Sequence, residues 1–270
     1  MNIALLGFVT AFLYIIAAAL LAIHLKQGQR RTANLGDESP LAVQVPAIIA
    51  LVAHGIMLIN DFSSHGISFS FFGSLAIFAW LITALLLAAS LKWPLNALGV
   101  MVYPISGLCV VAFGFAAATR GDTDTLALSP ELEVHIAISV FAYSLLSLAA
   151  LQACLLAVQD HQLHNHKTGS FVLALPPLQT MERLMFQLIA VGTALLTLSL
   201  VSGFYVVDDW MSHKILFSIV AWLIFATLLI GRWQAGWRGR RAIRFTLAGI
   251  SFLMLAFFGS KLVFELILGR

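Results

Sequence analysis

Charge is the scarcest property of this 270-residue chain. Asp, Glu, Lys and Arg make up 10% of it, hydrophobic residues 61%, and the mean hydropathy is +0.98. A soluble domain carries about 25% charged and roughly 45–50% apolar residues. So little charge cannot cover a water-facing surface, and disorder needs the opposite composition. Cysteine is also sparse. Cys109 and Cys154 both lie inside apolar stretches, with no CxxC pair. A disulfide framework, a zinc knuckle and a thiol relay lose their sequence support, and buried structural thiols are expected. No GxSxG, HExxH, Walker loop or paired-carboxylate pattern occurs, so no catalytic residue is nominated and enzymatic activity is left open. Transmembrane strands of about 10 alternating residues are absent too.

What the chain does have is long apolar runs. Eight are present, at about 3–25, 42–60, 69–91, 97–118, 134–158, 183–206, 213–231 and 245–268. Each is long enough to cross a bilayer as a helix, which takes about 20 residues. The expected fold is an all-α, polytopic membrane helical bundle of about eight transmembrane helices, as a single domain over 1–270. The first run has no basic n-region and ends in Lys26, Arg30 and Arg31; it is read as an uncleaved span.

The net charge of +3 and pI near 9.1 do not indicate nucleic acid, because the cations flank apolar spans instead of forming a basic module. Lys26, Arg30, Arg31, Lys92, Lys167, Arg183, Arg232, Arg238, Arg240, Arg241 and Arg244 fall in one set of loops; Arg120, Lys214 and Arg270 fall in the other. The richer set faces the cytoplasm, which puts both termini on the outer, periplasmic side of a bacterial inner membrane. Ser129-Pro130 before Glu131 and Glu133 marks a helix start. Residues 159–182, with Pro176-Pro177, read as a polar cytoplasmic connection.

Within a bilayer the polar residues carry the information, since burying them without partners costs free energy. His161, His164 and His166 cluster on the inner connection and are read as solvated, and His24 as interfacial. The other four histidines lie toward the outer side. His54 is on the order of 9 Å below the exit of the second span at Asp61, taking 1.5 Å per residue. His65 sits in a short loop. His135 and His213 open the fifth and seventh spans from the same side. Two imidazoles at equal depth on different helices suit the opposite faces of one haem; interfacial hydrogen bonding is the plainer alternative. The cations Arg120 and Lys214 suit propionates. Lys261 and Glu265, four apart, share a helix face. The spans carry too few charges for a proton pump or ion-coupled transporter.

Several strings together resemble the cytochrome c assembly family of membrane proteins, the CcsA/CcmC/HemX type, and within it a short inner-membrane branch. They are Glu133-Val134-His135 followed by Ser139, Ala142 and Tyr143; Gly203 through Trp210; His213-Lys214 leading into Ser218, Trp222 and Leu223; and Gly236-Trp237-Arg238-Gly239-Arg240-Arg241-Ala242 before an apolar span with Phe258-Gly259. The resemblance spans nearly the whole chain. It implies a haem-handling protein that holds haem b near the outer face, with a further cytochrome c maturation or haem-pathway membrane protein as partner. His135 matches the family's first outer histidine. Trp210, with Asp208 and Asp209, stands where the family carries a tryptophan-rich segment. Leu262-Val263-Phe264-Glu265-Leu266 stands where it carries a second outer histidine, so His54 or His213 is expected to supply that ligand. The cofactor-binding residues expected are therefore His135, His213, His54 and Trp210, with the three histidines as metal ligands. Two readings compete. One is a regulatory or scaffolding protein that keeps the fold without haem. The other is a b-type electron carrier, which would need histidine pairs at two depths.

Overall fold

A backbone in hydrocarbon must satisfy its own hydrogen bonds, which favours helices. The computed structural model describes residues 3–28, 40–65, 70–119, 129–165, 175–206 and 213–259, and among them it contains helices and no strand. The helices are α1 (Ile3–Gly28), α2 (Pro40–His65), α3 (Phe71–Ser90), α4 (Gly99–Ala118), α5 (Pro130–His164), α6 (Leu178–Val206), α7 (His213–Ala235) and α8 (Arg240–Met254). A 3-10 turn, Asn96–Leu98, leads into α4, and a π turn, Leu255–Gly259, continues α8. Seven of these helices are long and apolar enough to cross a membrane. The eighth expected span is helical to Gly259; its remainder lies outside the described residues. Large apolar side chains such as Phe12, 63% exposed, and Leu108, 73% exposed, face outward, a surface suited to lipid.

The chain forms two compact units, one holding α1–α4 and the other α5–α8. In the first, α1 lies against α2 and α4, and α3 against α2 and α4. Small residues bring α1 and α4 close. A Cβ on Gly7 would stand 3.1 Å from the Val110 carbonyl oxygen, and one on Gly107 would stand 3.4 Å from that of Ala11. Such close backbone approach is how membrane helices gain packing without a hydrophobic drive between them. Ala11, Met57, Ala76, Val110 and Phe113 form the core beneath it. Several buried polar groups find partners across helices. Thr83 and Ser106 hydroxyls pair at 2.8 Å, the Trp80 indole donates to the Leu51 carbonyl at 3.0 Å, and Gln44 Nε2 donates to Ser90 and Asn96 at 3.0 and 2.6 Å.

In the second unit α5 packs on α6 and α8, and α7 on α6 and α8. The Ser129 hydroxyl accepts from the Leu132 amide at 3.4 Å, with Pro130 opening the helix and Glu131 and Glu133 in its first turn. The expected inner connection is shorter than the hydropathy suggests. Residues 159–164 extend α5, and α6 begins at Leu178 instead of 183. Helices end where hydrogen-bonding partners end, not where apolarity does. Gln159 is buried in the packed unit, Asp160 pairs with Arg240 at 3.1 Å, and the Asn165 side-chain amide meets His161 Nε2 at 3.0 Å. His161 and His164 thus sit on a helix and not in a loop; His166 lies outside the described residues.

The same end is latched by Arg232. It donates to Glu182 at 3.2 Å and to the Trp237 carbonyl at 3.2 Å, and lies 4.7 Å from the Phe186 ring centroid. Both partners are largely shielded. Glu182→Ala is expected to lower unfolding free energy by about 1.5–3 kcal/mol, the scale of a hydrogen bond to a charged group. Thermal unfolding in detergent reads this, and an unchanged midpoint would remove the bridge from the stabilising contacts.

Candidate functional site

Residues four apart share a helix face, so His135, Ser139 and Tyr143 form a polar stripe along an otherwise apolar α5. On α6 the stripe meets Ser199 and Ser202, three apart and also on one face. His135 Nδ1 lies 2.9 Å from Ser202 Oγ. The Ser139 hydroxyl donates to the His135 carbonyl at 2.7 Å and lies 2.7 Å from Ser199 Oγ. Tyr143 Oη pairs with Ser218 of α7 at 3.2 Å, and the Phe257 ring meets the Tyr143 ring edge-on at 5.9 Å.

Beside this stripe is a cavity of about 210 Å³, lined among others by His135, Ser139, Tyr143, Gly203, Lys214 and Phe257. Gly203 is required by the imidazole. A Cβ there would stand 3.0 Å from His135 Cε1, tighter than nearly all real contacts. The ring is half-buried, with Nδ1 held by Ser202. Lys214 is exposed and is a cation lining an otherwise largely apolar cavity.

The remaining expected site residues fall as follows. His213 is the first residue of α7, immediately before Lys214, and its side chain lies outside the described residues. Trp210, Asp208, Asp209, Arg120, Lys261 and Glu265 also lie outside them. His54 belongs to the first unit. It is fully buried on α2, with Nδ1 3.3 Å from Tyr14 Oη, the two rings edge-to-face at 6.0 Å, and a buried Nε2 that has no partner among the described residues. Among the described residues no three His, Cys, Asp or Glu side chains assemble as a metal cluster. A haem iron needs axial nitrogens and not such a cluster. The residues around His135 fit that need: an imidazole on the cavity wall, aromatic and aliphatic side chains, and one cation.

Sequence reasoning missed Ser199, Ser202 and Tyr14. Their signal was present but faint: hydroxyls at helical spacing inside apolar spans, where each must have a partner.

Residues 42–268 match the family model described as "Cytochrome C assembly protein". Inner membrane protein YpjD of Escherichia coli (strain K12) is 36% identical over 234 residues, covering 83% of this chain and 86% of the relative. Cytochrome c biogenesis protein CcsA of Parasynechococcus marenigrum (strain WH8102) is 25% identical over 292 residues, covering 96% and 92%. CcsA of Guillardia theta is 25% identical over 202 residues, covering 63% and 67%. No solved structure matches the chain.

Proposed function

Because the chain belongs to the cytochrome c assembly family and is a multi-pass inner-membrane protein, we propose that it binds and presents haem b, with His135 as a residue that would hold the iron. The observation that carries this reading is the His135 cavity: an imidazole held by Ser202 at 2.9 Å through Nδ1, lining a largely apolar pocket that also has Lys214 as a cation. At about 210 Å³ the cavity is below the roughly 300–1,000 Å³ of enclosed ligand pockets. It would therefore seat one edge of a macrocycle, against Tyr143 and Phe257, with Lys214 holding a propionate.

His213 is the proposed partner ligand, since it opens α7 one residue before Lys214. Trp210 is the proposed ring contact that precedes it. The same reading has eight spans, with both termini and the His135 end of α5 on the outer side, as the loop cations favour.

When bound, haem supplies the porphyrin to be attached to an apocytochrome. This chain's own residues bind, orient and shield it; a partner from cytochrome c maturation or a haem pathway would supply the attachment chemistry. The test is a pyridine haemochrome spectrum and haem stoichiometry on protein purified from haem-replete cells. A Soret band with b-type haem near one per chain is expected. Haem-free protein that also takes up no added haemin would overturn the reading and favour a scaffolding role.

A further inference from the structure

We propose that Ser202 is a positioning residue that locks His135, which lines the cavity, in the Nδ1–H tautomer and so leaves its Nε2 unprotonated. The inference rests on the reading of His135 as an iron ligand, but its evidence is proton bookkeeping within the protein.

A neutral imidazole has one N–H donor and one acceptor nitrogen, and a serine hydroxyl has one proton. Ser202 Oγ donates to the Ser199 carbonyl at 3.0 Å. A carbonyl only accepts, so that contact takes the Ser202 proton. The same Oγ lies 2.9 Å from His135 Nδ1 and has only lone pairs left to offer. Nδ1 must therefore carry the hydrogen, which leaves Nε2 bare.

The neighbouring hydroxyls run in a matching direction. Ser139 gives its proton to the His135 carbonyl at 2.7 Å, so in the 2.7 Å contact between Ser139 and Ser199 it is Ser199 that donates. Every hydroxyl proton in this α5–α6 set is assigned, and none is left to donate to Nδ1. A metal takes only the nitrogen that lacks a proton, and the hydrogen bond at the other nitrogen decides which one that is. The isolated imidazole prefers the opposite tautomer, so the choice here is imposed by the helix pair. An oxygen at position 202 is the requirement, and its neutrality leaves the ring an imidazole and not an imidazolate.

The test uses the full chain, labelled with 15N-histidine and without added haemin, at pH 8, above the ordinary imidazole range. His135→Ala assigns the His135 resonances by their disappearance. The expected wild-type spectrum has a proton-bearing Nδ1 and a bare Nε2. Ser202→Ala should shift the pair toward Nε2–H, and Ser202→Thr, which restores a hydroxyl, should keep the wild-type pattern. The remaining histidine resonances report that the variants are folded. A wild-type Nε2–H pattern, or a Ser202→Ala spectrum like wild type, would overturn the assignment.

A haemin titration followed by the Soret band separates the two readings. Ser202→Ala should weaken binding by about 10–100-fold, the usual loss for an outer partner of a ligating histidine. The expected tautomer spectra with no haemin uptake by wild type would overturn the haem reading and support the tautomer assignment.

Discussion

His135→Ala is expected to weaken haemin binding by more than about 100-fold, beyond the 10–100-fold typical for losing an outer partner. The reason is local. The half-buried His135 brings an imidazole to the cavity, and the other walls are hydroxyls, aromatics, aliphatics and the Lys214 cation. Ser139 and Tyr143 are weak iron ligands when protonated, and the Lys214 ammonium is a donor of hydrogen bonds, not of electron pairs. The readout is Soret absorbance of wild type and variant titrated with haemin under identical conditions. Truncation to Ala leaves a space the size of the ring, so added imidazole should restore part of the band. A titration that superimposes on wild type would remove His135 from the site. His213→Ala makes the companion measurement, and a matching loss would make the two histidines an axial pair.

Gly249→Val is expected to destabilise the second unit by about 1–3 kcal/mol or more, the range for overpacking a filled interior. Phe225 of α7 is fully buried and its ring lies directly on Gly249 of α8. A Cβ at 249 would stand 2.7–2.9 Å from three ring carbons. The aromatic ring is rigid, so it must leave its rotamer or α7 must move from α8. Those two helices also carry cavity walls, with Lys214 and Ser218 on α7 and Phe257 on the π turn after α8. Haemin affinity should therefore fall along with stability. Thermal unfolding in detergent measures the first effect. Phe225→Leu combined with Gly249→Val should recover part of the loss, a coupling expected of residues in contact. Wild-type stability in the single variant would mean that α7 and α8 are not held at this spacing.

Much of this architecture is legible from composition alone. Seven of the eight apolar runs are helices long and apolar enough to cross a membrane, because hydrocarbon leaves a chain no other local way to satisfy its backbone. The start of α5 is legible as well, since Ser129, Pro130 and the following acids act within one turn. The C-terminus of α5 and the start of α6 are less so. Hydropathy stops at the membrane edge, whereas Gln159 and Asp160 stay helical because the folded unit buries one and pairs the other with Arg240.

The candidate site divides in the same way. His135, Ser139, Tyr143 and Ser218 stand out in the sequence as polar residues at helical spacing or within the family's strings. The roles of Ser199, Ser202 and Gly203 emerge only when α6 is laid against α5, since they are to relay, accept and make room for a side chain 60 or more residues away.

By itself the sequence determined the membrane as solvent, the helical class, the family and the short list of histidines. These follow from local hydropathy, spacing and the cost of burying charge, and they require no knowledge of which helix meets which. Tertiary structure alone decided that His135 has its Nδ1 on a serine and lines a cavity, and that His54 has Tyr14 as its partner. Those are distances between helices far apart in the chain. In the bilayer they are set by close side-chain packing and interhelical hydrogen bonds, for which an apolar run carries almost no signal.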